Sequence, residues 1–469
     1  MRQNVLMDIP IKLLILAAGL GTRMKSKKAK VLHRAGGLAL VEHVVDTALS
    51  LAPPERVFVV TGFQRELVQA ALDGRGVRFT AQAEQKGTAD AVMACREAAG
   101  GDEGLVVVLY GDCPLLSAGT LTKLIDQQRR SSAAATLITT HLDDPPGYGR
   151  ILRGADGSLE AIVEQRAATP EQLAIREVNP GLYCFRADLL WKHLGEIEPD
   201  NPAREYYLTD MVHILRRAGH EVGTLFHENA AELLGINTRV ELAEADRVLR
   251  ERTVRRLMLE GVTIEKPETV TIDAQVRIGR DTVVEAFARI LGHTVIGEDC
   301  HIGACAIVHD SELGNGVVVA PLTIVGSSRL DDGVHAGPFA RLRFGNDIEA
   351  GAQVGNFVEL KKTRLGAGSK ALHLAYLGDA IIGKKTNIGA GTITCNYDGV
   401  DKHRTTIGDG AFVGSNSTLV APVQIGDGSY VGAGSVVTED VPEDALALGR
   451  GRQVNKPDWA KKRRVRAQE

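Results

Sequence analysis

The chain has 469 residues, a net charge of -4, 44% hydrophobic and 4% aromatic residues, and 51 glycines. That length favours two or three domains, and the slightly acidic balance argues against nucleic acid or an anionic membrane surface as partner. The glycines lack the period of three that collagen requires. The cysteines (Cys95, Cys113, Cys184, Cys300, Cys305, Cys395) form no CxxC pair or zinc spacing, so they read as reduced thiols of a cytoplasmic protein.

In chain order, Met1 to Pro10 lacks the apolar core of a signal peptide, and no apolar run nears the ~20 residues that span a bilayer, so no membrane partner is expected. Ile11 to Ala18 is a continuous apolar run, expected as a parallel strand buried on both faces. It leads into Gly19-Leu20-Gly21-Thr22-Arg23-Met24 and then Lys25, Lys27, Lys28 and Lys30. Amides and cations after a buried strand offer an anion site, although a plain glycine turn would look the same. Two more buried strands, Arg56 to Thr61 and Gly104 to Tyr110, alternate with helical stretches and predict a doubly wound α/β domain. The strand ending at Tyr110 runs into Gly111-Asp112-Cys113-Pro114. Ligands of such sheets sit beyond the carboxyl ends of the strands. Asp112 is therefore a candidate Mg²⁺ ligand, or else an Asp capping its turn. Between these strands the polar stretch Gln82 to Thr88 could read a nucleobase edge or could be a surface loop. Gly147 to Arg150, Ile162 to Glu164, Val178 to Gly181, Tyr206 to Asp210 and Gly235 to Asn237 carry no signal singly. Thr238 and Glu241 form a capping-box pair, and Leu242, Ala245, Leu249, Arg252 and Arg256 then repeat at helical spacing to about Glu260. This reads as a connecting arm.

From Val262 an aliphatic residue returns every six positions, as in Ile278, Val284, Ile290, Ile296, Ile302 and Val308, or Ile407, Val413, Leu419, Ile425, Val431 and Val437. A shorter run, Leu342, Ile348, Val354 and Leu360, lies between. Six suits strands and neither an α-helix nor a coiled coil, and so strict a period means a repeat architecture. Glycines directly behind many of the aliphatics mark corners. The solid that satisfies both is a triangular parallel β-helix of about nine or ten coils, ending near Val441. The phase breaks between Leu360 and Ile382 and between Ile388 and Ile407. A regular rod has no structural need for such slips, so loops there are expected to carry chemistry. These stretches hold His373, Tyr376, Asn387, Asn396, Tyr397, Lys402 and His403.

The order of these pieces resembles the bacterial bifunctional N-acetylglucosamine-1-phosphate uridylyltransferase / glucosamine-1-phosphate N-acetyltransferase family. The match rests on LAAGLGTRM (Leu16 to Met24), QAEQ-GT (Gln82 to Thr88), YGD (Tyr110 to Asp112) and GYGR (Gly147 to Arg150). In the rod it rests on GPFARLR (Gly337 to Arg343), VGNFVELKK (Val354 to Lys362), HLAYLGDA (His373 to Ala380) and NIGAGTITCNYDG (Asn387 to Gly399). It runs from about residue 11 to residue 455.

The resemblance implies a nucleotidyltransferase domain at 1–237, a helical arm at 238–260, a left-handed β-helix acetyltransferase domain at 261–455 and a basic tail at 456–469. Left-handed coiling is implied only by the family, since the crossover rule favours the right hand. The nucleotide and sugar nucleotide would be held by Leu16, Ala17, Ala18, Gly19, Gln82, Gly87, Thr88, Tyr110, Gly111, Gly149, Glu164 and Asn179. Arg23 and Lys30 would act on the pyrophosphate, and Asp112 and Asn237 would hold Mg²⁺. In the rod His373 would be the general base. Arg343, Lys361, Tyr376, Asn387 and Lys402 would bind glucosamine 1-phosphate, and Ala390, Asn396, Tyr397, Ser415, Ala433 and Arg450 acetyl-CoA. The assembly implied is a homotrimer using UTP and acetyl-CoA. The chain departs from the family pattern at Ala29, where Pro is usual, at Lys86, at Ala89-Asp90 and at Pro180. Two rivals are a sugar-phosphate nucleotidyltransferase whose rod only oligomerises, and a non-catalytic subunit with a decayed nucleotide site. The presence of His373, Asn396 and Tyr397 speaks against the first, and that of Arg23, Lys30, Asp112 and Asn237 against the second.

Overall fold

The structure is a computed structural model that describes residues 9–145 and 147–467. The chain divides into two compact units, Met1–Leu249 and Arg250–Glu469.

The first unit is built on a mixed sheet of ten strands. Ile11–Ala17 lies between the parallel strands Val57–Thr61 and Leu105–Tyr110, and Arg78–Ala81 extends the parallel part. The antiparallel strand Tyr183–Arg186 joins Leu105–Tyr110 to Ala135–His141. The expected strands thus appear, each one residue shorter. Leu14 and Leu16 pack into one core, Leu13, Ile15 and Ala17 into another, so successive side chains of one strand serve opposite faces. This explains the unbroken apolar run. The three parallel strands end level, with Leu16 paired to Tyr110 and Ala17 to Thr61, and their loops gather at that edge.

The helix Arg239–Leu259 starts with the expected capping box, in which the Thr238 and Glu241 side chains each accept from the other's backbone N–H. Ala245 and Leu249 bury against Ala35, Leu40, Leu115 and Ile236, while Val254 and Leu257 join the core of the second unit. The boundary between the units therefore falls inside this helix. The basic tail forms the helix Trp459–Arg466, and its described side chains are exposed.

The second unit is the rod, three parallel sheets of eleven, ten and nine short strands. On the first sheet Val284, Ile302, Val319, Ala336, Val354, Ala371, Ile388, Val413 and Val431 pair in succession, and all are buried. Equivalent stacks on the other two sheets fill the interior, which is one continuous apolar core. Corners recur with the left-handed backbone. At the corner after the first sheet stand Phe287 (φ 63°), Cys305 (58°), Leu322 (62°), Phe339 (58°), Phe357 (57°) and Leu374 (50°). Bulky residues rarely adopt that region.

One detail corrects the phase analysis and another bears it out. The residues missing between Leu360 and Ile382 reflect coils one residue short, of the same kind as the coil joining Ile296 to Leu313. They are ordinary. The extra length before Ile407, which pairs directly with Ile382, is a real excursion in which Tyr397 and Lys402 form an antiparallel bridge.

Because each unit has its own core, they should respond separately to a core lesion. Leu342→Ala, at a fully buried position of the rod, should cost about 2–5 kcal/mol. Chemical denaturation should show the rod's transition at lower denaturant and that of the first unit unmoved. Equal shifts of both would contradict two separate cores.

Candidate active sites

At the carboxyl edge of the first unit's sheet lie two adjoining cavities of about 460 and 290 Å³. The smaller is lined by Leu16, Ala17, Ala18, Gly19, Gln82, Gly87 and Thr88. The larger is lined by Arg23, Gly149, Glu164, Asn179 and Asn237. Lys30, Thr88, Tyr110, Asp112 and Glu205 belong to both and mark the junction. Every residue expected at this site lines one of them except Gly111. That glycine instead donates its N–H to Leu16 O at 2.9 Å and packs beneath the strand ends.

At the junction the Lys30 ammonium forms an ion pair with Asp112. The Asn237 Oδ1 accepts from Lys30 Nζ at 3.0 Å and from Arg23 Nη2 at 2.8 Å. The Glu241 carboxylate that caps the following helix also accepts from Asn237 N at 2.5 Å. Asn237 is thus part of the helix start and part of the site at once. The loop that delivers Lys30 is tied down without a proline. Ala29 N donates to Gln64 Oε1 at 2.8 Å, and Gln64 Nε2 donates to Lys27 O at 2.9 Å.

Deeper in the larger cavity, burial pushes the Glu164 carboxyl above its ordinary range, and Thr209 Oγ1 donates to it at 3.2 Å. Asn179 is held by Tyr183 Oη at 2.5 Å and by Gly181 N at 3.0 Å. Pro180 beside it lines the cavity. Lys86 pairs with Glu84 at 2.7 Å on the surface. Sequence reasoning missed Tyr148, Glu205 and Tyr207, which also line these cavities. The signal lay in pairing: Tyr206 N donates to Lys86 O and Ala89 N to Tyr206 O, so 205–208 walls the Gln82–Thr88 loop.

In the rod the expected residues fall on two edges of one face. His373 is exposed at the end of its strand, paired with Asn356, just before the corner residue Leu374. Carrying the register forward places Ala390, Ser415 and Ala433 at the same position in the next three coils. Asn387 stands three residues before Ala390, paired with Lys370, and Arg450 is exposed beyond the last strand. On the far edge, Arg343 and Lys361 occupy successive coils and Asp379 follows. Lys361 Nζ lies 3.4 Å from Asp379 Oδ2, which also accepts from Asn396 Nδ2 at 2.5 Å. A Cβ at Gly378 would fall 2.5 Å from Tyr376 Oη and 2.8 Å from Asn396 Nδ2, so a larger residue there would displace both side-chain ends.

The excursion presents Lys402 next to Lys361, and that neighbouring ammonium lowers the pKa of Lys402. The loop is closed on itself: His403 Nε2 lies 2.7 Å from Asp398 Oδ2, and His403 with two backbone amides holds that carboxyl far below its usual range. Tyr397 is exposed on it. Phe344, which sequence reasoning also missed, sits 5.8 Å from the Arg343 guanidinium and 5.9 Å from the Lys361 ammonium. Arg343 is paired with Glu359 at 3.1 Å and Lys361 with Asp379, so two carboxylates face these three cations and leave a net positive charge of the kind that suits an anion.

Residues 13–258 match the model of the MobA-like NTP transferase domain, and residues 275–310 and 404–439 match that of the bacterial transferase hexapeptide (six repeats). The chain is 59% identical to the "Bifunctional protein GlmU" of Solibacter usitatus over 98% of each chain. It is 48% identical to that of Koribacter versatilis over 96% of this chain and 97% of the relative. Among solved structures, a nucleotidyl transferase from Methanothermobacter thermautotroptrophicus aligns over 52% of this chain and 98% of its own, at 20% identity and a TM-score of 0.36. With both units matched in order and the whole length covered by relatives, the chain belongs to the bifunctional GlmU family, the uridylyltransferase–acetyltransferase family its motifs resemble.

Proposed function

We propose that the chain makes UDP-N-acetylglucosamine in two steps. The rod transfers acetyl from acetyl-CoA to the amine of glucosamine 1-phosphate, and the first unit then transfers uridylyl from UTP to the product. The observation that carries the uridylyl step is the meeting of Lys30, Asp112 and Asn237 where the two cavities join. The smaller cavity takes the base against Leu16–Ala18 and Gln82, and the larger takes the sugar between Gly149, Glu164 and Asn179. The sugar phosphate attacks the α-phosphorus and pyrophosphate leaves. Charge grows on the bridging and leaving oxygens, and Arg23 and Lys30 are placed to stabilise it.

The donors at the junction suit a hard divalent cation, because a carboxylate and an amide oxygen already converge on a single ammonium. No cluster of three or more His, Cys, Asp or Glu occurs among the described residues. That suits Mg²⁺, which takes few protein oxygens and fills its shell with water and substrate phosphate. Bound by Asp112 and Asn237, it would neutralise phosphate charge.

In the rod, His373 takes the proton from the attacking amine, and the thioester carbonyl carbon passes to nitrogen with CoA as leaving group. Ala390, Ser415 and Ala433 line the CoA path with Arg450, and Asn396 and Tyr397 supply its remaining contacts. Arg343, Lys361 and Lys402 hold the phosphate of the amino sugar, with Tyr376 and Asn387 beside it. We place this site between rods of a homotrimer. Two features support that: the interior of each rod is filled, and Phe287, Leu322, Phe339, Phe357 and Leu374 form an exposed apolar ladder ending beside His373. No described helix is long and apolar enough to cross a membrane, and the cysteines are free thiols; both suit a cytoplasmic enzyme. One incubation with acetyl-CoA, glucosamine 1-phosphate, UTP and Mg²⁺ tests the reading, with CoA, pyrophosphate and UDP-N-acetylglucosamine as expected products.

Asp112→Ala should abolish uridylyl transfer and leave acetyl transfer within about twofold, since each unit has its own core and Asp112 belongs to the first. Parental turnover of UTP by this variant in Mg²⁺ would refute the metal assignment.

Replacing both Phe339 and Phe357 by Asp should give a monomer by light scattering, because two charges cannot be buried unpaired at a contact. Acetyl transfer should then fall by at least about tenfold while uridylyl transfer persists. A trimer, or full acetyl transfer in a monomer, would contradict the interfacial site.

A further inference from the structure

Gln82 is buried in the wall of the smaller cavity with Leu16, Ala17 and Ala18. Its Nε2 donates to Gly87 O at 3.1 Å and to Asp90 Oδ2 at 2.7 Å. A carbonyl and a carboxylate can only accept, so both hydrogens of the amide are used. Its Oε1 is then the one polar atom of the side chain left for a ligand, and no donor among the described residues reaches it. The first anchor cannot swing away. Gly87 has φ +121°, and a Cβ there would lie 2.4 Å from Tyr206 O, so the loop is backed by the 205–208 segment. The second anchor is the stronger, being charged. Asp90 sits in the first turn of the helix Thr88–Met93.

We propose that Asp90 is a specificity-determining residue for the nucleotide: it orients the Gln82 amide so that only an acceptor faces the base. The inference rests on the uridylyl reading and names the atom that reads the base. Uracil and thymine offer a ring N3–H to such an acceptor. Cytosine has a bare N3 lone pair there, which would face Oε1 across a buried contact. With the carboxylate gone, a turned amide would oppose only the Gly87 carbonyl, and its NH₂ could then serve cytosine. Asp90 touches neither substrate nor reacting atoms in this account, so it is a positioning residue.

The test is kcat/KM for UTP, dTTP and CTP in the full-length wild type, Asp90→Ala and Asp90→Asn, with thermal melts for all three proteins. The UTP-to-CTP ratio should fall by about tenfold in Asp90→Ala, the scale of one buried acceptor left mismatched. In Asp90→Asn, whose amide oxygen can still accept, the fall should be smaller. The change should lie in KM, and the UTP-to-dTTP ratio should stay constant, because both bases carry the N3–H. Equal losses on all three nucleotides, or an unchanged UTP-to-CTP ratio in the folded variants, would overturn the assignment. If Asp90→Ala does not fold, Asp90→Leu, which also lacks an acceptor, decides: an unchanged ratio overturns the assignment and a reduced one upholds it. A wild type that turned over no UTP would overturn the uridylyl reading itself, and this inference with it.

Discussion

The rod depends on one geometric bargain. Every sixth residue points inward into an apolar stack, and the chain must turn sharply between stacks without opening that core. The turns use left-handed backbone, which costs roughly 1–2 kcal/mol at a residue with a side chain. Phe287, Leu322, Phe339, Phe357 and Leu374 bear that cost and leave their side chains exposed in a column. A core so completely filled leaves no interior room for a substrate. In the proposed reading, chemistry is therefore displaced to the corners and the excursion, and from there to the surface between neighbouring rods. His373 immediately precedes Leu374, the last apolar corner of the ladder, so the proposed assembly surface and the proposed base share one edge.

The first unit solves the opposite problem. Its sheet brings strand ends level and leaves a hollow beyond them, in which charge must be organised before a polyanion arrives. Lys30, Asp112 and Asn237 do this mutually, while Glu241 fixes Asn237 from the helix start and Gln64 fixes the loop before Lys30. Ordering these groups in advance is what electrostatic stabilisation of phosphoryl transfer requires.

The periodic parts of this architecture were legible in the sequence because each rests on local patterning. The hexads, the buried run Ile11–Ala17 and the Thr238–Glu241 cap all appear where their residue types place them. Phase alone misled at Leu360–Ile382, since a parallel coil can lose a residue at a corner without disturbing its neighbours. Pairings between distant segments were not legible. Glu205 and Tyr207 reach the larger cavity because their segment docks on the Gln82–Thr88 loop, and no local pattern encodes that. Phe344 and Asp379 follow the same logic, being brought to Arg343 and Lys361 by stacking of coils. The Asp90 carboxylate likewise finds its partner outside its own helix, in Gln82 eight residues earlier.

The central claim is that the acetyl site is shared between chains, His373 coming from one edge of a rod and Asn396 from the other edge of its neighbour. Mixed refolding of His373→Ala with Asn396→Ala measures this most directly. Alone, each variant should be nearly inactive, with loss of the base costing on the order of 10² to 10⁴ in rate. Together they should recover a fraction of the wild-type acetyl transfer, because some mixed interfaces pair an intact His373 with an intact Asn396. No recovery, with mixed oligomers demonstrated by differential tagging, would place both residues in one chain's site and contradict the account.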